Sequence, residues 1–135
     1  MNAKTAFELY KSTQTSTSLD DASPHRLITM MLDGALEKVS LAIGAMERGE
    51  TALTGESISK AISIVDNLRV AVDHERGGTI ASNLSDLYDY LVRRLLEANV
   101  VSDVSMLTEV SGLLTEIKIA WDQVPVELHH PSGGA

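Results

Sequence analysis

Cysteine is missing from this 135-residue chain, which removes disulfides, thiolate metal sites and a thiol nucleophile together. Aromatic residues are almost as scarce, with one Phe, one Trp and three Tyr. Basic residues are outnumbered 11 to 19, leaving a net charge of −8. Such a field repels phosphate backbones and anionic lipid, so the chain is expected to have no nucleic-acid partner and no membrane surface. No apolar run approaches the roughly 20 residues of a membrane span, so no membrane insertion is expected. Met1 to Tyr10 also lacks the apolar stretch of a signal peptide. The expected location is cytoplasmic.

What is present is a chain that folds. Hydrophobic residues make 44% and charged residues 22%, proportions of a globular domain rather than a disordered one. The length fits one domain with a real core. No segment alternates with period two over a useful length, whereas apolar residues recur at steps of three and four throughout.

Residues 80–101 carry the clearest pattern. Ile80, Leu84, Leu87, Leu91, Leu95 and Ala98 form one stripe down a helix, with Gly77-Gly78 as a stop before it and Thr79 as its cap. Asp86, Asp89 and Arg93 fall on the wet side. Tyr88, Val92 and Leu96 make a second apolar line beside the stripe, more greasy surface than one seam needs.

Earlier in the chain, Ala3 to Tyr10 is a short helical possibility bearing Phe7, the only phenylalanine, and Tyr10. Lys11 to Asp21 is rich in Ser and Thr and reads as a tether. Ser23-Pro24 is a sharp helix start, a side-chain cap followed by a residue that has no N–H to leave unpaired. Ile28, Leu32, Ala35, Val39, Ala42 and Met46 then form an inward stripe that Gly49 ends. Leu27, Met30, Gly34, Leu41 and Ala45 run beside it. A mid-helix glycine costs about 1 kcal/mol against Ala, and close approach of another backbone is the usual reason to accept one at Gly34.

A third helix begins between Thr51 and Thr54. Ile58, Ala61, Ile62, Val65, Leu68 and Val72 face inward, Glu56 supports Lys60 one turn on, and Ile64 and Ala71 lie beside the stripe. Asp103 caps the last helix, whose inward residues are Leu107, Val110, Leu114, Ile117 and Trp121, and Pro125 closes it. Four such helices joined by short turns predict an all-α fold: an antiparallel, up-down-up-down four-helix bundle with a short N-terminal helical segment. The expected division is a cap segment and tether at 1–22, the bundle at 23–124 and a disordered tail at 125–135.

Catalytic patterns are missing. A di-metal carboxylate bundle needs paired Glu-x-x-His on facing helices, and the one example, Glu127 to His130, lies past Pro125. His25 at a helix start and His74 at a helix end read as caps or solvated groups. There is no Gly-rich phosphate loop and no base placed near a nucleophile. Neither a metal nor another cofactor is expected, and the chain is read as a non-enzyme. The surplus apolar lines on all four helices instead suit a partner that lays a helix into a groove.

Several strings are specific. Ser23-Pro24-x-x-Leu27-Ile28, Leu32-Asp33-Gly34-Ala35, Asn83-Leu84-x-x-Leu87-Tyr88-Asp89-Tyr90, Arg94-Leu95-x-x-Ala98-Asn99 and a closing Trp121 resemble the flagellar secretion chaperone (FliS) family. The resemblance runs from about Phe7 to Trp121. It implies a cytoplasmic export chaperone that binds the C-terminal segment of flagellin, prevents its premature polymerisation and delivers it to the flagellar type III export gate. It further implies that the client wraps around the bundle, and that the N-terminal segment covers part of the site and docks on the cytoplasmic domain of the export-gate protein. Phe7 and Tyr10 match that segment's apolar anchors, although the family commonly carries an aliphatic residue where Phe7 stands.

With the surplus lines, the partner-binding set becomes Phe7, Tyr10, Leu27, Met30, Gly34, Leu41, Ile64, Ala71, Tyr88, Tyr90, Val92 and Leu96. The alternative is a structural bundle that buries the same lines against a second copy of itself and has no client.

Overall fold

The computed structural model describes residues 23–124, the side chains of His74 and Arg76 excepted. The expected N-terminal helical segment, the tether and the tail lie outside the described residues. Four helices follow in order: α1 (Pro24–Glu47), α2 (Thr51–Val70), α3 (His74–Val101) and α4 (Val104–Asp122).

The ends form for local reasons. Ser23 is extended and its hydroxyl accepts from the Arg26 N–H, with Pro24 at the first helical position. Gly49 ends the α1 turn at φ 74°, a conformation that costs glycine little. Asp103 caps α4 by accepting from the Ser105 N–H at 2.9 Å. Glu50 precedes α2 without a side-chain cap. The start of α3 differs from expectation. The helix begins at His74, and the glycine pair sits inside it as a kink at Gly78, with φ 53° and ψ −125°. Gly77 still bonds back to the Asp73 carbonyl, so the helix carries on to the kink and resumes beyond it.

Each helix packs on two neighbours, in the ring α1–α2–α3–α4–α1. Cross-helix pairs fix the direction. His25 meets Trp121 and Asp33 meets Lys118, so α1 and α4 run antiparallel. Leu32, Ala35, Val39 and Ala42 of α1 meet Ile58, Ala61, Val65 and Leu68 of α2 in one core, with Leu91, Leu95 and Ala98 of α3 and Leu107, Val110 and Leu114 of α4. Full burial of the Val, Leu and Ile side chains among them contributes about 1.5–3 kcal/mol each. Met31, in the same core, is also fully buried.

On α3 the buried row is Ala81, Tyr88, Leu91, Leu95 and Ala98, with Leu84 half-buried among them. Ile80, expected to face inward, is 78% exposed. Two adjacent lines on α3 share the helical spacing, and the one through Tyr88 points at the bundle axis. The line through Ile80 and Leu87 rides the α4 flank, where Tyr90 and Arg94 also reach Glu109.

Candidate interaction surface

Phe7 and Tyr10 lie outside the described residues. Of the other ten residues expected to bind a partner, Leu27 and Tyr88 are buried, Tyr88 to 2% exposure, so neither stands on the surface of the bundle. The larger ring of Tyr88 takes the central row that the sequence alone assigns to Leu87. Burial pushes its phenol well above the ordinary tyrosine value. Met30, Gly34, Ile64, Ala71, Tyr90 and Val92 are half-buried, whereas Leu41 and Leu96 are exposed at 44% and 54%.

Bonded neighbours locate these residues on their helices. His25 and Asp33 contact α4, so the row of Met30, Gly34 and Leu41, on the opposite flank of α1, borders α2. Arg69 donates to Asp89 of α3 at 2.6 Å and pairs with Asp66 at 3.0 Å. Ile64 and Ala71, on the flank of α2 away from Arg69, therefore border α1. The fold brings Met30, Gly34, Leu41, Ile64 and Ala71 to one seam. Asp89 marks the α2 side of α3, and Val92 and Leu96 continue its row at helical spacing to Val100, which is 83% exposed. Two apolar edges thus flank α2. Between them runs an exposed polar ridge of Glu56, Ser59, Lys60 and Ser63, with Lys60 bonded to Glu56 at 2.9 Å as the spacing predicts.

Tyr90 stands apart from both edges. Its phenol donates to Glu109 at 2.5 Å, and Arg94 donates to the same carboxylate at 2.8 Å. The Tyr90 bond, then the Arg94 bond, hold the Glu109 carboxyl below its ordinary value. The same contact raises the Tyr90 phenol.

Sequence reasoning missed Val100, Val101 and Ile119 as exposed apolar residues. Val100 was legible, since it lies four residues beyond Leu96 on the line already drawn. Among the described residues no group of three or more His, Asp or Glu is placed to hold a metal ion. No described helix is long and apolar enough to cross a membrane.

The chain matches the protein family described as "Flagellar protein FliS" over residues 6–127. It is similar to the flagellar secretion chaperone FliSB of Pseudomonas aeruginosa, with 46% identity over 124 residues, 92% of this chain and 98% of the relative. Similarity extends to the flagellar secretion chaperone FliS of Salmonella typhimurium, 43% identical over 92% of this chain and 93% of the relative. The Bacillus subtilis FliS is 32% identical over 87% and 89% of the two chains.

Proposed function

The chain belongs to the flagellar protein FliS family, a family of secretion chaperones rather than enzymes, and from that membership we propose what it binds and where it takes it. It binds the C-terminal segment of flagellin in the cytoplasm, keeps it from polymerising and delivers it to the flagellar export gate. The N-terminal segment, with Phe7 and Tyr10 as anchors, covers part of the site until the client arrives and then contacts the cytoplasmic domain of the export-gate protein.

One observation carries the client reading. The apolar edges Met30–Gly34–Leu41–Ile64–Ala71 and Val92–Leu96–Val100 lie on opposite flanks of α2, parted by a polar ridge. A single straight helix fills one groove. A client segment that wraps, apolar at separated stations and polar where it crosses the ridge, fills both.

The test is co-purification with the flagellin of the same cell. A one-to-one complex whose flagellin stays unpolymerised supports the proposal. A tight homodimer at low concentration with no affinity for flagellin assigns the two edges to a second copy and sinks it.

A further inference from the structure

Three of the four seams between neighbouring helices are bridged by turns of two or three residues, at 48–50, 71–73 and 102–103. The α1–α4 seam has no such turn. At its open end stand His25, the second residue of α1, and Trp121, the last but one of α4. Their rings stack with centroids 4.5 Å apart and planes 7° from parallel. His25 Nε2 lies 2.9 Å from the Trp121 carbonyl oxygen, and the Trp121 indole N–H donates to the His25 carbonyl at 3.1 Å. Each residue thus bonds the other's backbone while the rings lie face to face.

Helix ends ordinarily fray, because their last carbonyls and first N–H groups have no helical partner. Here a terminal carbonyl of α4 is met from α1. Ser23, whose hydroxyl caps α1 through Arg26, is two residues from the stack, so there is little slack between cap and clasp. The next polar link along the seam is Asp33 to Lys118 at 2.7 Å, two turns deeper on α1.

We propose that the His25–Trp121 clasp is a latch that makes the first turns of α1 and the last turn of α4 open and close as one unit. Any displacement of the chain leading into Ser23 is then passed to the end of α4, and the reverse. Ser23 and Val124, at which the described residues begin and end, then move together rather than as two independent ends.

Amide hydrogen exchange on the full chain tests this, with the middle of α2 as the internal reference. In His25→Ala, amides 118–122 of α4 should exchange about tenfold faster although the substitution lies on α1, as loss of a bonded, stacked contact predicts. Residues 58–68 should be unchanged. Trp121→Phe keeps a stacking ring but loses the indole N–H, and should speed exchange at 27–31 of α1. Faster exchange only on the helix that carries each substitution overturns the latch. Where His25→Ala loosens the whole bundle, Trp121→Phe decides: acceleration at 27–31 with 58–68 unchanged supports the proposal, and uniform acceleration overturns it.

Discussion

Tyr90 and Glu109 face one another across the α3–α4 seam, the phenol donating to the carboxylate at 2.5 Å. Arg94, one turn beyond Tyr90, donates to the other carboxylate oxygen at 2.8 Å and also pairs with Glu97 at 3.2 Å. Two residues of α3 therefore converge on one acid of α4.

Glu109 should give the fold an acid-side dependence. Its carboxyl is held below the ordinary value by the Tyr90 bond and then by Arg94. A depressed carboxyl contributes stability above its unfolded value of about 4.3, and the contribution fades as pH falls through the folded value. Glu109→Gln should therefore lose most against the parent near neutrality, and the gap should narrow below about pH 4. Thermal melts at neutral and acid pH check this, and an equal gap at both would contradict it.

Tyr88 should act on the alkaline side. Its phenol is raised by burial, so the neutral ring is retained in the fold while the unfolded chain ionises at about pH 10. Stability attributable to Tyr88 is complete below that pH and is lost above it. Tyr88→Phe should weaken this alkaline loss. Tyr88→Ala should cost about 3–5 kcal/mol at neutral pH, the range for emptying a buried aromatic site. Denaturant titration at neutral and alkaline pH measures both.

Leu95 and Leu96 are neighbours with opposite surroundings, the first fully buried and the second more than half exposed. Leu95→Ala should cost about 2–5 kcal/mol of stability. Leu96→Ser should stay within about 0.5 kcal/mol of the parent. On the function proposed above, Leu96→Ser should nonetheless weaken flagellin binding by about tenfold, as loss of an apolar anchor does. Calorimetric binding and chemical unfolding of the two variants separate the effects. Unchanged binding in Leu96→Ser removes α3 from the client surface.

Glycine substitutions should split by position. Gly78→Ala forces a side chain into a positive-φ backbone and should destabilise by about 1–2 kcal/mol. A Cβ at Gly77 would lie 2.6 Å from that of Ala81, so Gly77→Ala should also destabilise. Gly112 is helical, and a Cβ there meets open space. Gly112→Ala should stabilise by about 1 kcal/mol. Melting temperatures of the three variants give the signs directly.

The spacing of apolar residues and the helix ends, the start of α3 excepted, were legible because they depend on neighbours in the chain. Ser23 and Asp103 cap, Gly49 turns, and Glu56 meets Lys60 one turn on, each through backbone sterics or helical spacing that residues a few places apart determine. Membership of the family was legible for the same reason, since Asn83-Leu84-x-x-Leu87-Tyr88-Asp89-Tyr90 is one continuous string. Tertiary structure decided which of two equally periodic lines on α3 turns inward. Spacing favours Ile80 and Leu87 no less than Ala81 and Tyr88, and only the positions of α2 and α4 choose between them. It also decided that Leu27 is core while Leu41, on the same side of α1, is exposed. Above all it joined His25 to Trp121 across 96 residues. Local rules carry no information about so distant a pair, because its contact exists only once four helices have closed into a ring.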